Sequence, residues 1–398
     1  MTERNDGRRA GASALDSRKS LFADLSSPPL PAGVGTVVGN RVLTYTRPDK
    51  ASAVLPHVDG ARGGLVLAGT DPGRALKPAL GAGGGLVVLN DPAAYEKFTA
   101  TMAEPFALPD EGLFPLTLND VLDRQIRVGA AAALSPTGYI PAGRTDILRE
   151  AARQFRSLGR TDAIFVAPLD VSLLGPSYYA TTAAVLAGVG FPVALVLGGQ
   201  GDPLKHSSRV IPNLRDLAAR VPLMALRTDF SGFDLVAHGV IAAAIGTGGS
   251  VRHTVTPGEG RRAYRRDESP SVLWPELASW FKGSKINELY GARPSQAPRC
   301  DCGVCGGQRL TRFLRREHQD EAIGHAVATW SRWASDLLGQ PTIRDRAQYW
   351  RNLCRGAVTG HAVILAQLQM LEGLEPQASL KRWAELPAWP VPLAAPVP

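Results

Sequence analysis

Three cysteines within six residues form the clearest chemical pattern in the 398-residue sequence. The stretch Arg299 to Gly307 reads RCDCGVCGG, so Cys300, Cys302 and Cys305 follow a C-x-C-x-x-C spacing. Thiolates on such a tight turn can face one ion at about 2.3 Å, and the glycines let backbone N–H groups approach the sulfurs. The chain has only four cysteines, too few for a disulfide framework. The spacing therefore predicts a structural Zn²⁺ site in a reducing compartment.

A structural zinc site takes four ligands, so one ligand must come from outside this knuckle. His318 and His325 follow on a predicted helix, seven residues apart and therefore on roughly the same helical face. Periodicity does not choose between them. Cys354 is a more distant candidate, but a single cysteine in an apolar helix is more often part of the core. Free thiols and an iron–sulfur cluster are the alternatives to zinc.

Arginine-rich stretches are the second chemical feature, and they account for much of the formal net charge of +8. Clusters of this kind attract nucleic-acid backbones, and an aromatic residue among them can stack on a base. A solvated, solubilising surface is the ordinary alternative. The first stretch contains Arg261, Arg262, Tyr264, Arg265 and Arg266, and the second contains Arg309, Arg312, Arg315 and Arg316. The two stretches therefore make a nucleic acid a candidate partner, with a solvated surface as the alternative.

Short apolar runs alternate with helical stretches through the first two thirds of the chain. Seven runs are aliphatic on both faces, as buried parallel strands must be: 65–68, 86–89, 130–134, 163–167, 193–197, 223–226 and 242–245. An eighth strand is expected from a hairpin around Gly39-Asn40 that joins 36–38 to 42–45. Helices are predicted at 119–128, 144–157, 178–187 and 211–220, capped by Thr117 and by Thr145-Asp146. A (β/α)8 TIM-like barrel is favoured over a doubly wound sheet.

The composition changes along the chain and divides it into four parts. Residues 1–32 read as a disordered lead, 33–266 as the barrel, 267–376 as a zinc-binding and helical subdomain, and 377–398 as a Pro-rich tail. The subdomain includes a long helix that begins at Ile343. No apolar run is long enough to cross a bilayer, and the N-terminus lacks the apolar core of a secretory signal. A cytoplasmic location is therefore expected.

Barrel enzymes place their reactive groups at the carboxyl ends of the strands. Asp91, Asp170, Asp202 and Asp229 lie at such ends, as does His253 beside Arg252, and convergent carboxylates would suit displacement at a sugar carbon. The candidates for catalysis are Asp91, Asp170 and Asp229. Helix capping is the alternative role, which Asp91-Pro92 and Asp202-Pro203 suit well. The loop 246–250 (GTGGS) could hold a phosphate through backbone N–H groups, although a plain turn is simpler. The candidate substrate-binding residues at these ends are Ser135, Thr137, Gln200 and Arg252.

The knuckle, followed by a basic helix with His325, resembles the zinc motif of the tRNA-guanine transglycosylases and their DNA-modifying relatives. These enzymes are (β/α)8 barrels with a zinc-bearing subdomain, and they exchange guanine in a nucleic acid for a 7-deazaguanine base. Their fourth zinc ligand lies downstream on the helix, which favours His325 over His318. The segment 89–95 is similar to the family's general acid/base loop and implies that role for Asp91. The order of the similar blocks covers most of residues 34–330.

Two departures from the family pattern concern its essential carboxylates. The stretch 134–139 (LSPTGY), where the family has a base-recognition aspartate, contains no carboxylate. The strand that should end in the nucleophile reads Ile245-Gly246-Thr247, and glycine cannot form a covalent glycosyl intermediate. Asp229 is our candidate for a relocated nucleophile, and Asp170 is the reserve.

Three functions remain open from the sequence. The first is a pentosyltransferase that exchanges guanine for a purine or 7-deazaguanine base in DNA or tRNA, after the target nucleotide is flipped into the barrel mouth. The second is a barrel that has lost this chemistry and binds nucleic acid, as a dimer or as the partner of a catalytic subunit. The third is a barrel enzyme that acts on a small anionic substrate, with zinc purely structural.

Overall fold

Eight parallel strands close into a barrel, in which each strand pairs with the next and the first pairs with the eighth. The computed structural model describes residues 22–81, 85–109, 116–260 and 267–389. The strands are β1 (Arg41–Thr46), β2 (Leu65–Ala68), β3 (Val88–Asp91), β4 (Ala133–Leu134), β5 (Ala163–Asp170), β6 (Val193–Gly198), β7 (Leu223–Thr228) and β8 (Ala242–Gly246). The predicted TIM-like barrel is confirmed.

The strands are apolar on both faces because both faces are buried. Leu43 and Tyr45 of β1 belong to the cluster that fills the barrel interior, together with inward residues of the other strands. The residues between them alternate to the outside, where Val42 and Leu65 pack with the surrounding helices. This two-sided burial explains why the strands appear in the sequence as continuous aliphatic runs rather than as alternating patterns.

A short helix, α1 (Val34–Val38), precedes β1, and its Val34 and Val38 pack with the cluster of the barrel interior. The helices that follow the strands form the outer layer. They are α2 (Ala51–Val54), α3 (Pro72–Leu80), α4 (Leu118–Arg127), α5 (Thr145–Ser157), α6 (Tyr179–Ala187), α7 (Val210–Ala218) and α8 (Ser231–Ala237). Thr117 caps α4 as predicted, in a reciprocal capping box with Asp120. The predicted cap at Thr145-Asp146 is wrong: Arg144 is the N-cap residue, and its guanidinium pairs with the Asp146 carboxylate at 2.7 Å.

The predicted hairpin around Gly39-Asn40 is also wrong. Residues 34–38 form α1, and β1 has parallel partners on both sides. The backbone N–H of Asn40, a residue in the left-handed region with φ of 59°, donates to the carbonyl of Ile241 at 2.7 Å and leads the chain into β1. Residues 42–45 do lie in β1, so the position of this strand was predicted correctly although its predicted partner was wrong.

After β8 the chain forms a hairpin, the cysteine knuckle and a helical layer. The elements are β9 (Ser271–Trp274), β10 (Ser279–Lys282), α9 (Gly283–Leu289), β11 (Arg299–Cys300), β12 (Gln308–Arg309), α10 (Gln319–Leu338), α11 (Ile343–Leu368) and α12 (Ala378–Glu385). Helix α12 lies within the predicted Pro-rich tail. Residues 22–32 of the predicted lead are also described, and the carbonyl of Leu25 accepts from the N–H of Ile343 at 2.8 Å.

Helix α10 completes the outer layer of the barrel. It packs on β1 and α2, and Trp330 Nε1 donates to Thr44 Oγ1 at 3.4 Å. Helix α11 packs on α8, where the Trp350 ring stacks on Phe233 with 5.4 Å between centroids. The buried rings of this layer belong to the same apolar cluster as the barrel helices. The barrel and the C-terminal helices therefore share one core. Within the described residues, no helix has the length and apolar character needed to span a membrane.

Candidate metal centre and barrel mouth

Four potential metal ligands meet between the knuckle and α10. The side chains of Cys300, Cys302, Cys305 and His325 are buried, with ligand atoms within 4.8 Å of one another. His325 Nδ1 lies 3.6, 3.4 and 3.3 Å from the three Sγ atoms in chain order. A tetrahedral zinc ion, about 2.3 Å from sulfur and about 2.0 Å from nitrogen, separates these atoms by about 3.5 Å. The group therefore has the dimensions of a structural zinc site, closed by four protein ligands.

One hydrogen bond orients the histidine of this group. His325 Nε2 donates to the carbonyl of Leu273 at 2.7 Å, which leaves Nδ1 without a proton toward the sulfurs. His318 lies just before α10, where its Nδ1 accepts from the N–H of Arg315 at 3.3 Å. Cys354 lies on α11, and its side chain is buried in the apolar core. Of the two histidines that periodicity left open, only His325 faces the cysteines.

Backbone N–H groups support the sulfurs, but they are not those of the glycines. Cys302 N–H donates to the Sγ of Cys300 at 3.5 Å, and Cys305 N–H donates to the Sγ of Cys302 at 3.4 Å. Gly306 and Gly307 have φ of 53° and 81°, and their N–H groups donate to the carbonyl oxygens of Cys302 and Cys300. The glycines thus provide the left-handed turn that closes the knuckle, rather than the N–H···S contacts expected from the sequence.

The Asp91 carboxylate is enclosed at the end of β3. Its Oδ2 accepts from Tyr45 OH at 2.8 Å and Tyr95 OH at 2.5 Å, and its Oδ1 accepts from the N–H of Ala93 at 2.8 Å. The guanidinium of Arg227 lies over both tyrosine rings, 5.7 and 5.5 Å from their centroids. Asp91 is 1% exposed, and burial raises the pKa of its carboxyl group. The side chain is held by protein groups and is not exposed to a substrate.

The rest of the barrel axis is also filled. A Cβ at Gly246, where the resemblance places the nucleophile, would lie 2.1 Å from the carbonyl oxygen of Val251. Ser135 and Thr137 are buried with their hydroxyl oxygens 2.8 Å apart, and Ser135 Oγ accepts from the N–H of Val166 at 2.8 Å. Their polar groups are satisfied inside the protein, away from any substrate.

Asp170 and Gln200 lie at two other strand ends. Asp170 Oδ1 accepts from the N–H of Ser172 at 3.0 Å, and its Oδ2 accepts from Tyr139 OH at 2.8 Å. Gln200 is exposed, and its Nε2 donates to the Glu259 carboxylate at 3.0 Å. Asp170, like Asp91, is therefore held by a tyrosine hydroxyl and a backbone N–H of the protein.

A cavity of about 390 Å³ lies beside the axis, between the loops that follow β6, β7 and β8. We call it the off-axis cavity. Its volume is in the range of small-molecule sites. The lining residues that carry its chemistry are Asp202, Lys205, Arg227, Asp229, Ser231, Gly249, Arg252, His253 and Trp280. Of the strand-end residues named from the sequence, the cavity contains Asp202, Asp229, Arg252 and His253, whereas Asp91 and Asp170 do not line it.

Two carboxyl groups line the off-axis cavity, and each also caps a turn. Asp202 Oδ1 accepts from the N–H of Leu204 at 3.0 Å, and Asp229 Oδ1 accepts from the N–H of Ser231 at 2.8 Å. Burial raises the pKa of Asp202 to about 6, and the nearby charge of Asp229 adds to the effect. A carboxyl group whose pKa is raised, beside a second carboxylate, is an arrangement found where one group acts as an acid and the other as a nucleophile or base.

Two arginines line the same cavity. Arg227 is 2% exposed, and its backbone lies in the left-handed region with φ of 55°. Its Nη2 lies 2.7 Å from Glu96 Oε1 and donates to the Ser250 carbonyl at 2.8 Å. The guanidinium carbon of Arg252 lies 3.6 Å from the centroid of a Trp280 ring, and burial lowers the pKa of this side chain. Nε and Nη1 of Arg227 and Nη2 of Arg252 are buried without a hydrogen-bond partner in the described part of the chain.

The first basic stretch, with the candidate nucleic-acid contacts Arg261, Arg262, Tyr264, Arg265 and Arg266, lies outside the described residues. In the second stretch, Arg312 pairs with Glu321 and is partly buried. Arg315 and Arg316 are exposed beside the knuckle, and the Arg315 side chain is 76% exposed.

Several residues of the mouth were missed or given another role from the sequence. Asp202 was named among the strand-end residues, with capping as its alternative role, but it was not chosen as a catalytic residue, and its approach to Asp229 depends on two loops that no local pattern relates. Tyr45 lies two residues after Leu43 and therefore on the same face of β1, so the strand period alone could have placed it on the barrel axis. The residues not singled out at all are Tyr45, Tyr95, Arg227 and Trp280.

No protein-family model matches the sequence, and no curated protein is significantly similar to it. Among solved structures, triosephosphate isomerase from Bartonella henselae is 12% identical over 53% of this chain and 94% of its own, with a TM-score of 0.31. The carboxyl transferase domain of Rhizobium etli pyruvate carboxylase, with pyruvate and biocytin, is 12% identical over 90% of this chain and 71% of its own, with a TM-score of 0.30. The chain's own features define it: a TIM barrel of eight parallel strands with a buried group of three cysteines and one histidine that suits structural zinc.

Proposed function

We propose that this chain is a nucleic-acid-binding protein built on a transglycosylase-like barrel, and that it does not exchange bases at the barrel axis. The closed end of β8 carries the proposal, because a side chain at Gly246 would collide with the backbone of Val251. Base exchange through a covalent intermediate needs a carboxylate beneath the anomeric carbon. Asp91, the expected general acid/base, is enclosed by two tyrosines. Such a chain would bind the nucleic acid on its own or for a catalytic partner subunit.

The surface around the knuckle supports nucleic acid as the partner. Arg299, Arg315 and Arg316 are exposed there. The exposed loop 258–260 leads directly into the first basic stretch at 261–266. Guanidinium groups on such a surface neutralise backbone phosphates and release counterions, which gives affinity without base recognition. Either DNA or tRNA would satisfy this chemistry.

Fluorescence anisotropy with labelled tRNA and labelled duplex DNA tests the binding. We expect affinity that falls as salt rises, and a reduction of the salt slope by about two in the double variant Arg315→Ala, Arg316→Ala. The matched control is the double variant Arg149→Ala, Arg156→Ala, which removes two exposed arginines from α5 on the outer layer. Salt-insensitive binding, or no binding to either polymer, would contradict the proposal.

Base exchange in the off-axis cavity is the second candidate function. Asp229 would act as the relocated nucleophile and Asp202, with its pKa raised to about 6, as the proton donor. The observation in its favour is that both carboxyl groups line one cavity of about 390 Å³. Asp170, the reserve nucleophile, does not line that cavity.

Incubation with labelled guanine and either polymer separates the two candidates. The first predicts that no label enters tRNA or DNA. Incorporation that is abolished in Asp229→Asn and retained in Asp71→Asn, where an exposed aspartate caps α3 in a similar way, would overturn the first and establish the second. A covalent protein–nucleic-acid adduct on a denaturing gel would lead to the same conclusion.

A further inference from the structure

A groove on the outer layer of the barrel has a row of arginines on one wall. Helix α5 packs against α6, and the groove between them has a volume of about 460 Å³. The arginines belong to α5 and are exposed: Arg149, Arg153 and Arg156. Their spacing of four and three residues places them on one face of the helix, about 6 and 4.5 Å apart along its axis. We call this the arginine groove.

The arginine groove keeps a net positive charge. Arg153 pairs with Glu150 on the surface, through hydrogen bonds of 2.9 and 2.6 Å. Nη1 of Arg156 donates to the carbonyl of Gly188 at 3.2 Å, so this side chain reaches across to the end of α6. Arg149 makes no hydrogen bond or ion pair within the described part of the chain. With one carboxylate beside three guanidinium groups, the groove is complementary to an anionic partner.

The second wall of the groove, α6, carries no charged side chain. Its exposed residues are Ala180, Thr181, Ala184 and Ala187. A helix on a protein surface ordinarily presents charged and polar residues to water, as α3, α4 and α5 do in this protein. Val185 adds half-buried apolar surface to the groove. Apolar side chains of a partner could therefore cover α6 without burying unpaired charges.

Two other occupants fit this surface less well than a helix does. A nucleic-acid strand would use the charge, but none of the described residues that line the groove is aromatic, so a base would find no ring to stack on. A second copy of the chain, related by a two-fold axis, would bring two arginine rows into one interface. An amphipathic helix with carboxylates at positions i, i+4 and i+7 would match the arginine row and also cover α6.

We propose that the arginine groove binds an acidic, amphipathic helix of a partner protein, with the partner's carboxylates on Arg149, Arg153 and Arg156 and its apolar side chains on α6. This inference goes beyond nucleic-acid binding, because it uses the opposite side of the barrel. Helices α5 and α6 precede and follow β5, which lies four strands from β1 in the closed barrel. Helix α10, which follows the knuckle, packs on β1.

Hydrogen–deuterium exchange with a synthetic acidic helix as the probe tests the assignment. The probe is a peptide of three repeats of Glu-Ala-Ala-Leu-Glu-Ala-Ala, which places its glutamates and leucines on one helical face. We expect this peptide to slow exchange at 145–157 and 179–187, and a peptide with lysine at each glutamate position to leave exchange unchanged. Anisotropy of the fluorescently labelled peptide gives the affinity, which should fall as salt rises.

Variants at exposed positions locate the contact. Arg149→Glu combined with Arg156→Glu should weaken binding of the acidic peptide about tenfold and should bind the lysine peptide instead. Ala184→Gln, which places a larger uncharged side chain on α6, should also weaken binding of the acidic peptide. The matched control, Arg74→Glu combined with Lys77→Glu, makes the same change of charge on α3 and should bind the acidic peptide as the wild type does.

The remaining outcomes would overturn the proposal. They are no binding of the acidic peptide, and equal affinity of the wild type and the α5 double variant. Protection of α5 and α6 by duplex DNA or tRNA would assign the groove to nucleic acid, and protection that rises with protein concentration alone would assign it to a second copy. The α5 double variant should retain salt-dependent binding of nucleic acid, so failure at this groove is distinguishable from failure at the knuckle surface.

Discussion

The raised pKa of Asp202 predicts a pH-dependent penalty that one substitution should remove. Burial and the charge of Asp229 shift this carboxyl group from 3.8 to about 6 in the folded protein. The unfolded chain therefore releases the proton at lower pH than the folded chain does. The resulting loss of stability is absent below about pH 4, develops as the pH rises from about 4 to about 6, and is complete above that. Two pKa units correspond to about 3 kcal/mol.

Asp202→Asn retains an oxygen that can accept from the N–H of Leu204 and removes the charge. We expect the variant to be more stable than the wild type near pH 8, by about 3 kcal/mol at most, and the advantage to shrink by about 1.5 kcal/mol near pH 5. Urea unfolding followed by tryptophan fluorescence at the two pH values measures this difference. A constant effect of the substitution cancels, because only the change with pH is used.

Asp229→Asn provides the second side of the test. Because Asp229 contributes to the shift, its removal should lower the pKa of Asp202 and flatten the pH dependence of the Asp202→Asn effect. Asp71→Asn, at an exposed cap, serves as the matched control. If Asp202→Asn gave the same change in stability at both pH values, Asp202 would ionise normally, and the cavity would not hold a coupled pair of carboxyl groups.

Three further predictions concern the metal group and the barrel axis. Elemental analysis should find about one zinc per chain in the wild type and less in His325→Ala, and this variant should also have a lower melting temperature. Unchanged zinc would exclude this histidine as a ligand. Gly246→Ala should lower the free energy of unfolding by about 1–3 kcal/mol or more, because the new Cβ would meet the backbone of Val251. Gly248→Ala, where no atom lies within 4 Å, should lower it much less. Equal melting temperatures of the two variants would refute the steric argument. Tyr95→Phe should cost about 1–2 kcal/mol in urea unfolding because Asp91 loses a donor, and Tyr178→Phe at a partly exposed ring should be nearly neutral.

The fold could be predicted because its signal is local. Strands buried on both faces give aliphatic runs such as 163–167 and 193–197, and both runs lie in strands of the barrel. The mistaken hairpin shows the limit of local patterns. Gly39-Asn40 does carry a left-handed residue, as a hairpin turn would, but it connects a helix to a strand. Turn residues define where the chain bends, and the partner of the strand is decided by the closed sheet.

The site was less predictable because it depends on contacts between distant segments. The cysteine spacing placed three ligands, and the family resemblance rather than any local pattern favoured His325 as the fourth. The orientation of its ring toward the sulfurs depends on the Nε2 bond to Leu273, 52 residues away. The enclosure of Asp91 requires Tyr45 from β1 and Arg227 from β7. A strand-end aspartate has the same local pattern whether it is open to solvent or covered by other strands.

The position of α10 determines the order in which the chain can be completed. The outer face of the first strand is covered by Trp330, 286 residues after Thr44. During synthesis the outer face of β1 therefore stays uncovered until most of the chain has left the ribosome. The same helix supplies His325 to the group of three cysteines and one histidine, so a metal ion bound there would also hold in place the helix that covers β1. A chain that ended before α10 would leave this face of β1 exposed, and exposed apolar strand surface favours aggregation.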